Sequence, residues 1–244
     1  MWRFSHRTRS SENIIKELEI LKSFGFDRVN FKDESVGMDN ERGTQLFEEI
    51  EKANLGMSYK AKLRIPQINT GLVRQMVRAG LDTVHTGVES VSQNALRSMG
   101  KAIDANYIKN AFDIILDNGA NINPVYLFSW TGETENDLAN NARFIEEQGK
   151  RAGVTSYISF ITPHPSSKVA NNPGLEILTT NYSRYTHKQP VAVPRSLGKN
   201  GLIKMVDTYH SVVQEIGMQE FNPRIDSKYI ESLLEKSRRE VLVA

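Results

Sequence analysis

Two rhythms of apolar residues alternate along the chain. Residues 11–24 place Ile14, Ile15, Leu18, Ile20 and Leu21 at helical spacing, with Ser10 or Ser11 to cap the first turn. A short strand-like run follows over 28–33, and helical spacing returns over 40–54. The exchange then repeats. Strands are predicted over 57–64, 82–88, 121–129 and 154–161, and helices over 70–79, 91–99, 104–117 and 133–148. Gly25, Gly80, Gly119 and Gly149 are expected to stop helices, because glycine accepts the left-handed residue that commonly follows a helix end. Strands separated by helices imply βαβ units and a parallel sheet, wound by right-handed crossovers into an open or closed barrel. Past residue 162 the rhythm breaks. Residues 162–200 are rich in proline and polar residues and read as a long irregular segment. Helical patterns resume over 201–216 and 226–239, the latter charged enough to present a solvated face.

Composition narrows the class. The chain has 244 residues, enough for one substantial core, and a formal net charge of +2, too small to argue for a nucleic-acid or anionic-membrane partner. Basic residues near the start are not followed by a long apolar run, so no secretion signal or membrane span is expected and a cytoplasmic location is the default. There is no cysteine. Disulfides are excluded, and so is any thiolate-bound metal or cluster supplied by this chain.

Parallel α/β sheets collect ligands at the C-terminal ends of their strands. The predicted strands end in Asp33-Glu34-Ser35, Leu63-Arg64, Gly87-Val88-Glu89-Ser90, Ser129-Trp130-Thr131-Gly132-Glu133-Thr134, and Thr162-Pro163-His164-Pro165-Ser166. Carboxylates there suit an amino group or ribose hydroxyls, and an arginine suits a carboxylate. Each also has a plainer reading. Asp33 and Glu34 fit a helix-dipole partner or a turn, and Arg64 fits a surface charge beside Pro66. Ser90 fits a helix cap, and Gly132-Glu133-Thr134 fits a helix N-terminus. Trp130 reads as a packing residue or a substrate platform, His164 as a substrate or cofactor neighbour, and His85 as a core histidine within its strand.

Taken in order, these segments resemble the barrel of radical S-adenosylmethionine (SAM) enzymes, especially the cobalamin-binding branch. Arg7-Thr-Arg9-Ser10-Ser-Glu12 resembles the segment after that family's cluster loop. Phe31-Lys-Asp33-Glu34-Ser35 resembles the acidic end of its second strand, and Arg64 an arginine on its third. Gly87-Val88-Glu89-Ser90-Val-Ser92-Gln93 resembles the motif after the fourth strand, and Lys101 the lysine that follows the next helix. Gly132-Glu133-Thr134-Glu135-Asn-Asp137 resembles the motif after the fifth, and Pro163-His164-Pro165-Ser166-Ser167 the proline-rich loop after the sixth. The resemblance spans about residues 3–168.

It implies an α/β fold: a partial (β/α)6 TIM-like barrel over 1–168 holding strands two to six, with a C-terminal irregular and helical extension over 169–244. It implies reductive cleavage of SAM by a [4Fe–4S] cluster to a 5′-deoxyadenosyl radical acting on a small-molecule substrate, with cobalamin a possible further cofactor of the full-length enzyme. It implies that Asp33 and Glu34 face the SAM amino group, that Glu89 and Ser90 face its ribose or methionine end, and that Arg64 faces its carboxylate or neighbouring polar groups. The Gly132-Glu133 turn and the backbone from Ser159 to Thr162 complete the cofactor-binding set. Trp130 and His164 are candidate substrate neighbours, and no residue is assigned as catalytic.

The sequence departs from the family in three places. The Cys-x3-Cys-x2-Cys loop is absent, Trp130-Thr131 replaces Leu-Pro, and Ser166-Ser167 replaces Gly-Thr. The expectation is therefore a fragment that cannot bind the cluster alone and needs a missing N-terminal segment or a cysteine-bearing partner chain. The alternative is a non-catalytic SAM-binding or interaction subunit. A barrel without its first strand would also leave the 28–33 strand as an aggregation-prone edge.

Overall fold

The computed structural model describes residues 8–36, 40–128, 130–187, 189–198, 200–217, 228–229, 231–233 and 235. The helical pattern over 226–239 and the first seven residues lie mostly or wholly outside them. Five strands form one parallel sheet in the order β1 (Arg28–Asn30), β2 (Ser58–Lys62), β3 (Leu81–Glu89), β4 (Asn121–Phe128) and β5 (Tyr157–Phe160). The helices that alternate with them are α1 (Ser11–Ser23), α2 (Asn40–Ala53), α3 (Thr70–Arg78), α4 (Gln93–Ser98), α5 (Ala105–Asp117) and α6 (Glu135–Gly149), followed by α7 (Gly201–Glu215). This is the partial TIM-type α/β sheet that the sequence implies.

The chain divides into two compact units. The first comprises residues 1–86 and 110–122, the second residues 87–109 and 123–244, so the boundary predicted at 168 falls inside the second. In the first unit, the Ser10 hydroxyl accepts from the Asn13 N–H and caps α1, and the Asn69 side chain does the same for α3. Phe47, Ile50, Tyr59, Ala61, Val73, Met76 and Val84 are buried between helices and sheet. Phe31 lies against Phe47 and Tyr59 at ring distances of 6.0 and 5.8 Å, which fixes this as the helix-covered face of β1 and β2. In the second unit Tyr126, Phe128, Ile158 and Phe160 of the sheet and Met205, Val206 and Tyr209 of α7 are nearly inaccessible, and the Phe160 ring lies 5.2 Å from that of Tyr209.

Several boundaries differ from expectation. The 28–33 strand ends at Asn30, because the chain bends at Asp33 and Glu34, although Phe31 still donates to the Lys60 carbonyl at 2.8 Å. α4 begins at Gln93, since Ser92 and not Ser90 caps it. α6 begins at Glu135, capped by Thr134, whose hydroxyl accepts from the Asp137 N–H. Gly149 does not stop that helix. It is the last helical residue, and a Cβ there would press on Ile216, so it is glycine for close packing and not for a left-handed turn. The irregular 162–200 segment contains a two-stranded antiparallel sheet, β6 (Leu175–Ile177) with β7 (Ala192–Pro194). Strands of three residues set among prolines give no periodic signal. No described helix is long and apolar enough to cross a membrane.

Candidate functional site

In both units the sequence-predicted residues follow the C-terminal ends of strands, and in both a buried amide organises them. In the first unit that amide is Gln67, in a 3-10 turn over Ile65–Gln67. Its Oε1 accepts from the Ser35 hydroxyl at 2.5 Å and from the Arg64 N–H at 2.8 Å. The acidic loop after β1 is thereby tied to the loop after β2. Asp33, Glu34 and Arg64 are all exposed, so their charged ends are available to a ligand.

In the second unit the organising amide is Asn141 of α6, only 3% exposed. Its Oδ1 accepts from the Ser90 hydroxyl at 3.1 Å and from the Val91 N–H at 2.7 Å, and its Nδ2 donates to Glu133 Oε1 at 2.9 Å. Glu133 Oε2 accepts from the Trp130 N–H at 3.2 Å, and its carbonyl accepts from the Ser196 hydroxyl. The Ser90 hydroxyl also accepts from the Ser92 N–H at 3.0 Å. Ser90 and Glu133 are fully buried. They lock two turns together and present no polar atom to solvent.

Glu89 is different. It is half-buried with φ +67°, a left-handed conformation that disfavours side chains. Lys101 holds it there: its ammonium donates to the Gly87 carbonyl at 3.0 Å and pairs with Glu89 Oε1 at 3.3 Å. Gly87 leaves the space for the carboxylate, since a Cβ there would collide with Glu89 Oε1. A strained residue clamped by two neighbours is what a ligand-facing carboxylate needs in order to be pre-positioned.

The remaining residues are more dispersed. Gly132 is exposed at φ +80°, shaping the turn into α6. Trp130 packs beside Ile161, Leu175 and Ala192, and its indole N–H donates to the Ser98 hydroxyl at 2.5 Å, so packing accounts for it. Ser159 is half-buried beside Leu127 in the β4–β5 register. Thr162 is half-buried near the Phe160 carbonyl, and His164 is exposed 6.4 Å from the Tyr185 ring. Ser166 has φ +67° where the resembled loop carries glycine. Sequence does not single out Gln67 or Asn141, because an amide in the connection after β2, or one among several along α6, has no distinguishing neighbour. Among the described residues no group of three or more histidines and carboxylates is placed to hold a metal ion, and the chain has no thiolate, so the residues present do not fit a [4Fe–4S] cluster.

The fold is similar to that of radical SAM enzymes among solved structures. No family model matches the chain. It is 26% identical over 192 residues to an uncharacterized methyltransferase of Pyrococcus horikoshii, covering 76% of this chain and 40% of that protein. It is 21% identical over 210 residues to the anaerobic magnesium-protoporphyrin IX monomethyl ester cyclase of Rubrivivax gelatinosus, covering 84% of this chain and 37% of that one. The chain thus spans about two fifths of the length of these relatives. Among solved structures it superposes on the radical SAM methyltransferase TsrM of Kitasatospora setae, bound to cobalamin and a [4Fe–4S] cluster, with a TM-score of 0.64 at 12% identity, over 88% of this chain and 46% of that one.

Proposed function

We propose that this chain is the SAM-facing and substrate-facing part of a radical SAM enzyme barrel of the cobalamin-dependent kind. The observation that carries this reading is Glu89, a carboxylate held in a strained conformation at a strand end by Gly87 and Lys101. The two relatives, a methyltransferase and a cyclase, support the enzyme class. In the second unit Glu89 is suited to hold ribose hydroxyls or the methionine end of SAM, and the backbone from Ser159 to Thr162 to flank adenine. Ser90 and Glu133 act as supports for that turn. In the first unit Asp33 and Glu34 offer carboxylates to an amino group, and Arg64 offers a guanidinium to a carboxylate. SAM supplies the hydrogen-abstracting chemistry of such enzymes, and the protein residues bind, orient and exclude water. This chain supplies no thiolate, so the cluster of such an enzyme would be held by cysteines of another segment or chain.

The test is calorimetric titration of the full chain with SAM. Binding is expected, weakened by Glu89→Gln. Absence of binding, or binding indifferent to that substitution, refutes the site. A second reading, a SAM-binding subunit without its own chemistry, is favoured by the missing thiolates alone. Iron and sulfide reconstitution with a cysteine-bearing partner separates the two, since only the enzyme reading expects SAM cleavage to appear.

A further inference from the structure

The first unit carries a concentration of positive charge that SAM binding does not use. Strand alternation sends Phe31, Tyr59 and Ala61 to the helix-covered face, and therefore Lys60 and Lys62 to the other. Lys32, next after Phe31, follows the same alternation. A register shift between Tyr59 and Lys60 leaves Asp82 as the extra residue and sets Lys60 opposite Thr83 and Lys62 opposite His85. Without that bulge His85 would turn to the covered face. Lys60, Lys62 and His85 are all half-buried. Like charges on neighbouring strand positions repel, and partial burial deprives them of water. The titration directions agree. Burial lowers Lys60, as do the charges of Lys32 and Arg28, against a raising effect of Asp82. Burial lowers His85, and so do Lys60, Lys62 and Lys32. Asp82 is itself engaged, paired with Arg28 at 2.6 Å and accepting from the Thr83 hydroxyl at 2.5 Å.

This clustering is not a general basicity, because the whole chain carries only +2. Nor is it common to the sheet. In the second unit the half-buried positions of β4 and β5 are Val125, Leu127, Tyr157 and Ser159, with no cation among them. Repulsion of this kind is relieved when an anion arrives, and ammonium groups act on carboxylate and phosphate as point charges without demanding one geometry.

We propose that the open face of β1–β3 bearing Lys32, Lys60, Lys62 and His85 binds a ligand with at least two carboxylate or phosphate groups. Resting on the enzyme reading above, this face receives the anionic end of the substrate.

The experiment titrates the full chain by calorimetry with inorganic pyrophosphate in one arm and tricarballylate in another, and with SAM separately. One or both anions are expected to bind, more weakly at high salt. Lys60→Gln and Lys62→Gln are each expected to weaken that binding by roughly tenfold. Lys62→Arg is expected to restore it, and Lys16→Gln, on the exposed face of α1, to leave it unchanged. The His85 ring resonances should titrate at higher pH with the anion bound than without it. The arm that binds tells phosphate from carboxylate. Binding of neither anion, or equal loss in Lys16→Gln and Lys62→Gln, overturns the proposal. The SAM arm keeps the two readings apart: anion binding without SAM binding sinks only the radical SAM site, and SAM binding without anion binding sinks only this face.

Discussion

Asn141→Ala offers the sharpest test of how the second unit is built. The substitution removes three hydrogen bonds at once from a residue 3% exposed. The three bonds are worth about 1 kcal/mol each, and the partners left unsatisfied at this depth add their own desolvation cost. Water cannot readily replace the amide at this depth, so the expected loss is about 3–5 kcal/mol, a large part of the ~5–15 kcal/mol that holds a typical domain. Urea unfolding followed by tryptophan fluorescence measures it, because the backbone N–H of Trp130 donates to the same Glu133. Asn94→Ala, on the exposed face of α4, serves as control and is expected to cost under about 0.5 kcal/mol. A double-mutant cycle with Glu133→Ala should show coupling of about 1–3 kcal/mol. If Asn141→Ala costs no more than the control, the buried amide does not organise the turns and the reasoning fails.

Three other outcomes are expected. Ser166→Gly relieves a side chain at φ +67° and should raise stability by about 0.5–1 kcal/mol, read as a higher melting temperature; a lower one contradicts the strain. Gly87→Ala should expel the Glu89 carboxylate from Lys101 and weaken SAM binding while leaving the fold's far-UV circular dichroism unchanged. His85 is held below the ordinary histidine range by burial and then by Lys60, Lys62 and Lys32. Its neutral form is thus the one the folded state prefers. The stability this contributes is full above pH about 6.5 and is lost as pH falls through the lowered folded value, so His85→Gln should flatten the decline in stability below pH about 6.5. An unchanged slope would show that His85 titrates alike folded and unfolded.

The order of elements was legible in sequence because burial imposes period on every helix and strand long enough to show it. α1, α3 and α5, and the strands β2 to β4, fall within a residue or two of their predicted places. Short strands among prolines, β6 and β7, carry no period and emerged only with the fold. Motif chemistry was legible as residue types at strand ends, but not as roles. Sequence treats Glu89, Ser90 and Glu133 alike. Tertiary structure separates them: Ser90 and Glu133 are spent on the buried Asn141, while Glu89 stands half-exposed beside Lys101. The same holds on β2 and β3, where a one-residue bulge decides that His85 joins the lysines. Chain order determines which side chains exist and which face they prefer. Whether a polar group meets a partner or a ligand depends on distances between segments far apart in sequence, and only packing sets those.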